Sequence, residues 1–186
     1  NPGWSYQDVL PYFKKLEDSP HGPSQSRGVN GPLHVSDVST QVHPLCEQFL
    51  KAGEELGIKR NADINGDSQE GVCIHQITTR NGIRESASSA YLKPALSRSN
   101  LKVITHALVS RVLFENQKAV GIEFLQDGIQ LSIRASREVI LSAGSINTPQ
   151  ILQLSGVGPG QLLQKFNIPL VVDSPAVGQN LQDHLC

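Results

Sequence analysis

Three small residues, Ser142, Ala143 and Gly144, stand where an apolar run gives way to a helix-like pattern. Side chains of this size at the junction of a strand and a helix let a large ligand approach the main chain closely. The same residues also suit a strand and a helix that pack tightly against each other. The sequence therefore predicts either a ligand-binding turn or a close-packed junction here, and both interpretations stay open.

Two nearby patterns resemble a cofactor-binding motif and a catalytic motif, but their residues do not have the spacing that these motifs require. The glycines at 156, 158 and 160 follow a helical segment, and Gln161 occupies the place of the third glycine that a dinucleotide-binding loop requires. A nucleophile elbow of the form Gly-x-Ser-x-Gly fails as well, because Gln153 stands two residues before Ser155. We therefore exclude both motifs.

The composition excludes several other function classes. A net charge of −1 with mixed signs gives no indication of nucleic-acid binding. No apolar run approaches the roughly 20 residues that a membrane span needs. The three cysteines, Cys46, Cys73 and Cys186, are odd in number and widely spaced, so we expect neither a metal cluster nor a disulfide framework.

The helix after the junction must position the small residues. Thr148 is predicted to cap its first turn, with Pro149 at a position where the missing N–H costs nothing. Gly156 is predicted to end it in a left-handed conformation. The buried stripe of this helix is expected to consist of Ile151, Leu152 and Leu154.

Alternating apolar and polar residues before the junction predict an antiparallel meander with one buried face. Strands are expected over 109–114, 120–124 and 129–133, with Asp127 and Gly128 in the last turn. The next apolar run, residues 139–141, does not alternate. This predicts a strand that is covered on both faces.

The amino-terminal half of the sequence predicts two longer helices. One spans 4–17, where Ser5 and Asp8 form a capping pair. The other begins at Pro44 and ends at Gly57. Its inward-facing residues are expected to be Leu45, Phe49, Ala52 and Leu56. Shorter elements are expected as a strand over 72–79, a tight turn at Asn81 and Gly82, and a short helix over 88–92.

The stretch 144–158 carries a family resemblance. It reads Gly-Ser-x-x-Thr-Pro-x-aliphatic-aliphatic-x-x-Ser-Gly-aliphatic-Gly, which resembles the second family pattern of the glucose–methanol–choline (GMC) oxidoreductases. The start of the chain, Asn-Pro-Gly-Trp-Ser-Tyr, also resembles the family, and so do, in family order, residues 8–15, 31–33, 52–57, 80–84, 90–92 and 177–184. Residues 4–6 and 80–84 look most like the animal branch, which includes insect-type FAD-dependent glucose dehydrogenases and choline dehydrogenases.

The resemblance implies a mixed α/β fold that binds FAD. Residues 100–186 would form a segment of the flavin domain that includes the meander, and residues 1–99 mainly a substrate-side segment with some flavin-domain elements. The main chain of Val109 would pair with the adenine edge, and Ala143 and Gly144, beside Ser142, would lie close to the flavin or its ribityl chain. The implied reaction is hydride transfer from an alcohol or sugar to the flavin, with a quinone or oxygen as the electron acceptor.

Two features of the family do not occur among these 186 residues. They are the amino-terminal Gly-x-Gly-x-x-Gly loop that holds the FAD pyrophosphate, and the carboxy-terminal histidine that takes the proton of the alcohol. We therefore assign no catalytic residue, interpret the chain as an internal piece of the enzyme, and expect it to be inactive alone. The alternative is a non-catalytic protein that uses the flavin fold for binding or structure; the sequence leaves the cellular compartment open.

Overall fold

The computed structural model describes residues 2–184. The chain divides into two units, one up to Lys102 and one from Val103 onward. Both units contain helices and strands, as expected for a mixed α/β protein. None of the helices among the described residues is both long and apolar enough to cross a membrane.

The first unit combines two longer helices with very short strands. Its elements are α1 (Tyr6–Leu16), β1 (Glu17–Asp18), β2 (Leu33–His34), α2 (Pro44–Glu55), β3 (Thr79–Arg80), β4 (Ile83–Arg84), a π-helical turn (Ser88–Leu92) and α3 (Lys93–Ala95). The predicted capping pair of α1 is confirmed, because the Asp8 N–H donates to Ser5 Oγ and the Ser5 N–H donates to the Asp8 carboxylate. The helix runs through Pro11 without a break.

Helix α2 begins at Pro44 as predicted, but its inward face differs from the prediction. Leu50 and Gly53 are its buried residues, whereas Leu45, Phe49, Ala52 and Leu56 are exposed, Phe49 by 74%. The prediction of these four as inward-facing is therefore wrong. The reason is that the segment containing Val72 packs on the face of α2 that carries Gly53. A Cβ added to Gly53 would lie only 2.8 Å from Val72 Cγ1.

The predicted strand over 72–79 is also wrong. In this region the main chain forms only isolated bridges, between Arg60 and Val72 and between Ser36 and Ile77, before the hairpin begins at Thr79. The hairpin turn itself is confirmed. Asn81 and Gly82 have φ values of 52° and 75°, which a tight antiparallel turn requires.

Polar contacts connect the loops of the first unit. The guanidinium of Arg27, only 4% exposed, lies 2.9 Å from Glu17 Oε1 and 3.1 Å from Asp63 Oδ1, and it donates to Gln76 Oε1 at 2.9 Å. Neutralising a buried cation with two carboxylates is what makes its burial tolerable. A second polar contact joins β1 to β2, where His34 Nδ1 lies 2.8 Å from Asp18 Oδ2. This hydrogen bond lowers the pKa of the Asp18 carboxyl.

The second unit contains the predicted meander, which is confirmed. Strands β5 (Ala107–Glu115), β6 (Lys118–Gln126) and β7 (Ile129–Arg134) pair antiparallel in the order β5-β6-β7. Asp127 and Gly128 form the last turn with φ values of 51° and 78°. The unit continues with α4 (Gly144–Leu154), β8 (Val157–Gly158), α5 (Gly160–Lys165) and β9 (Val172–Asp173).

Only part of the apolar face of this sheet is buried. Val112 and Phe124 are 5% and 3% exposed, and helix α4, with its buried Ile151, packs against β5, the strand of Val112. Every residue of β7 is exposed, so the prediction of one buried face does not hold for this strand. The physical reason is that α4 packs against β5, at the far side of the sheet from β7.

The apolar run at residues 139–141 is not a strand, and this prediction is wrong. It has no regular structure, and Ile140 is 76% exposed. A strand that is covered on both faces needs partners on each side, and none of residues 2–184 pairs with this run.

Gly156 ends α4 as predicted. Its φ of +87° is left-handed, and a Cβ at this position would overlap the carbonyl oxygen of Pro169. The chain can then turn so that β8 pairs with β9 in parallel. Only glycine meets both the conformational and the steric requirement.

We expect Gly156→Ala to destabilise the protein more than Gly128→Ala. Gly128 also has a positive φ, but a Cβ there would meet no atom within 4 Å. The control should lower the free energy of unfolding by about 1–2 kcal/mol from backbone strain alone, and Gly156→Ala should add a steric cost to a similar strain. Urea unfolding of both variants measures the difference; equal losses would contradict the close contact at Gly156.

Candidate functional site

A groove of about 470 Å³ lies in the second unit. It brings Val109 and Ala143 together, two of the three residues for which the sequence analysis predicts cofactor contact. The remaining lining residues are Gly121, Ile122, Ile133, Ala135, Glu138, Val139, Ile140, Leu141, Ser142 and Ile151. The groove is thus largely apolar, and small residues form one side of it.

The third predicted residue, Gly144, is the first residue of α4 beside the groove. Its φ is +84°, and a Cβ built on it would meet no atom within 4 Å. Ser142, Ala143 and Gly144 are all exposed. The tight strand–helix packing that the sequence left open is therefore not observed at Gly144. Instead, the main chain here is accessible to a ligand.

Helix α4 begins five residues earlier than predicted. Ala143 is its N-cap residue and makes no side-chain cap, so the prediction of Thr148 as the cap is wrong. Thr148 lies inside the helix, where its Oγ1 accepts a hydrogen bond of 3.1 Å from the Ala143 N–H. The Thr148 hydroxyl thus provides an acceptor for the main-chain N–H of the N-cap residue, although Thr148 itself lies inside the helix.

The positions of Pro149 and Leu154 in α4 also differ from the prediction. Pro149 lies inside the helix instead of in its first turn, so it cannot donate to the carbonyl of Ser145. Leu154 is 47% exposed, whereas Ile151 is buried as expected and Leu152 is half-buried. The helix therefore presents a narrower apolar stripe to the sheet than the sequence suggested.

Strand β5 carries a bulge next to Val109. Val109 pairs with Phe124 and Arg111 with Glu123, so Ser110 is an extra residue without a partner in the register. Two contacts hold this irregularity: Ser110 Oγ donates to the Glu123 carbonyl at 3.0 Å, and Arg111 donates to both Glu123 carboxylate oxygens at 3.0 Å. The Arg111 guanidinium also keeps the pKa of the Glu123 carboxyl below its usual value.

The outer edge of β5 faces helix α4. The Val112 N–H donates to Ser155 Oγ at 2.8 Å, so the main chain at Val112 points away from β6. Successive residues of a strand point their main-chain groups to opposite edges, and one added residue shifts this alternation by one. The register therefore directs the main chain of Val109, three residues before Val112, to the same outer edge.

Three further residues shape the site, although none of them was predicted from the sequence to do so: Ser110, Glu123 and Ser155. A signal for the bulge was present, because the adjacent polar residues Ser110 and Arg111 interrupt the apolar–polar alternation of this strand. No comparable signal indicated that Ser155 contacts β5. Among residues 2–184, no group of three or more His, Cys, Asp or Glu side chains is placed to hold a metal ion.

Comparisons with known proteins give a consistent result. A family model described as GMC oxidoreductase matches residues 1–186. Mitochondrial choline dehydrogenase of Mus musculus is 50% identical over 183 residues, which are 98% of this chain and 30% of that protein. Oxygen-dependent choline dehydrogenase of Rhizobium johnstonii is 46% identical over 183 residues, 98% of this chain and 33% of that protein.

Solved structures are similar as well. Pyridoxine 4-oxidase from Mesorbium loti matches with a TM-score of 0.91 and 31% identity, over 99% of this chain and 36% of that chain. An FAD-dependent oxidoreductase from Chaetomium thermophilum matches with a TM-score of 0.88 and 35% identity, over 98% of this chain and 34% of that chain. The chain thus spans about a third of the length of the proteins that it matches.

We expect Thr148→Val to lower the free energy of unfolding by about 1 kcal/mol, because it removes the acceptor of the Ala143 N–H at the start of α4. Thr148→Ser keeps the hydroxyl and serves as the matched control. Urea unfolding measures both. A loss in the serine variant as large as that in the valine variant would show that the hydrogen bond contributes little.

Proposed function

Because this chain belongs to the GMC oxidoreductase family, we propose that it forms part of an FAD-dependent enzyme that oxidises alcohols. The observation that carries the proposal is the groove of the second unit, where the outer edge of β5 at Val109 meets the accessible main chain at Ala143 and Gly144. FAD would supply the hydride acceptor of the reaction. The proposal that residues 1–99 lie mainly on the substrate side and residues 100–186 in the flavin domain is supported by the break between units at Lys102 and Val103.

Three residues of this chain would hold the cofactor. The N–H and carbonyl of Val109 would pair with the adenine edge, which presents one acceptor and one donor to the strand. Ala143 and Gly144 would let the cofactor approach the main chain, because neither has a side chain beyond Cβ. The exposed position of Gly144 and its positive φ support this role.

The groove fits part of such a cofactor. Its volume of about 470 Å³ and its apolar lining suit an aromatic ring system. One main-chain hydrogen bond contributes only about 1 kcal/mol net, which does not offset the cost of ordering a large cofactor. Tight binding of FAD therefore requires hydrogen-bond donors to its phosphates, in addition to the contacts of Val109, Ala143 and Gly144.

We propose choline as the substrate to test first. The relatives at 46–50% identity are choline dehydrogenases, whereas the similar structure of pyridoxine 4-oxidase is 31% identical. Oxygen or a quinone would accept the electrons. We assign no catalytic base to this chain, because the histidine that would take the proton of the alcohol in the family does not occur among these 186 residues.

The full-length gene product provides the test of this function. We expect it to purify with a flavin absorbance spectrum that bleaches when choline is added without oxygen, and to respond less to glucose. Denaturation should release FAD, which chromatography identifies. A protein that binds FAD but is reduced by no alcohol would support the non-catalytic alternative, and a protein without flavin would contradict both.

We expect Val109→Pro to weaken FAD binding about tenfold, the equivalent of one hydrogen bond. Proline removes the N–H, and on the outer edge of a strand it disrupts no ladder bond. Val109→Ala, the control, loses most of the side chain but keeps the N–H, and should bind FAD nearly as wild type does. Equilibrium dialysis of the apoprotein with FAD measures both. Wild-type affinity in the proline variant would exclude main-chain recognition at Val109.

A further inference from the structure

We infer that Ser155 is a positioning residue for the cofactor's adenine, although it does not line the groove. The inference rests on the proposed function. Ser155 lies at the end of α4 and is 8% exposed. Its hydroxyl donates to the Ile151 carbonyl at 2.5 Å and accepts the Val112 N–H at 2.8 Å.

These two hydrogen bonds leave the hydroxyl little freedom. A serine hydroxyl has a single proton, and here it is committed to a carbonyl of the same helix. An oxygen lone pair therefore remains aimed at β5, where it accepts from a main-chain N–H that pairs with no strand on that side in the described part of the chain. Because the site is buried, water cannot replace the hydroxyl without rearrangement.

The hydroxyl divides the outer edge of β5 into two parts. At Val112 the N–H on this edge is bound by Ser155, whereas at Val109 no strand formed by residues 2–184 lies beside the edge. Three residues of extended strand separate these positions by roughly 10 Å. Ser155 therefore fixes which part of the edge is available for a planar ligand with a donor and an acceptor.

The same contact links the two sides of the groove. Helix α4 begins beside Ala143 and ends at Ser155, so its two ends touch the ligand site and the strand edge respectively. Eleven helical residues span about 16 Å. A hydroxyl that anchors the carboxy-terminal end of α4 to β5 thus helps to set the distance between Val109 and Ala143.

Ordinary packing is the competing explanation. The side chains of Ile151 and Val112 are buried where α4 packs against β5, and they could hold the helix against the sheet without the hydroxyl. Val112→Ala separates the two explanations, since it removes packing at this contact but keeps the N–H that Ser155 accepts.

The experiment uses the apo form of the full-length gene product and measures its affinity for FAD and for ADP, which carries the adenine without the flavin. Ser155→Ala should raise the Kd for both ligands about tenfold, as expected for a misplaced hydrogen-bonding edge. Val112→Ala should lower Tm by about as much as Ser155→Ala does, but it should leave the Kd for ADP within about twofold of wild type. Ser155→Thr keeps the hydroxyl and should restore most of the affinity.

Ser155→Cys is the second variant in case Ser155→Ala fails to fold. A thiol fills the space of the hydroxyl but is a weak acceptor, so the Kd for ADP should again rise. The inference would be overturned if Ser155→Ala and Val112→Ala weakened ADP binding equally. It would also be overturned if neither Ser155→Ala nor Ser155→Cys weakened ADP binding. The proposed function would stand in both cases. A wild-type protein that binds neither FAD nor ADP would overturn both.

Discussion

An edge strand must satisfy main-chain groups that have no neighbouring strand, and much of the second unit follows from how β5 meets this constraint. At Val112 the N–H is satisfied by the buried hydroxyl of Ser155. At Val109, on the other side of the Ser110 bulge, the edge meets the groove instead. The position of α4 and the walls of the groove depend on this division. A regular strand without the bulge would direct Val109 towards β6 and close the site.

The first unit depends more on polar contacts than on a large apolar core. Leu50 and Ala90 are the apolar side chains of this unit that are buried among the described residues. The buried guanidinium of Arg27 reaches two carboxylates on separate segments, and the pair of His34 and Asp18 joins the short strands. Such contacts specify which loops meet, because a buried charge tolerates few alternative partners.

The features that could be predicted from the sequence are those that a few neighbouring residues determine. The cap at Ser5, the turn at Gly128 and the left-handed residue at Gly156 each depend on local geometry, and each is confirmed. An apolar pattern shows which side chains avoid water but not which neighbour covers them. For this reason the inward face of α2 and the strand over 139–141 were predicted wrongly. At the start of α4, Thr148 could either cap a later helix or reach back from inside an earlier one, and the sequence alone does not distinguish the two.

The candidate site illustrates why main-chain recognition is difficult to see in a sequence. If Val109 binds through its N–H and carbonyl, many side chains would serve at that position, and the residue type carries little information. The constraint then falls on residues that hold the main chain in place: Ser110 in the bulge, Ser155 at the strand edge and Gly144 at the helix start. Each of these is small, and two of them act through hydroxyl groups. A site of this kind is therefore defined by its supporting residues more than by the residue that touches the ligand.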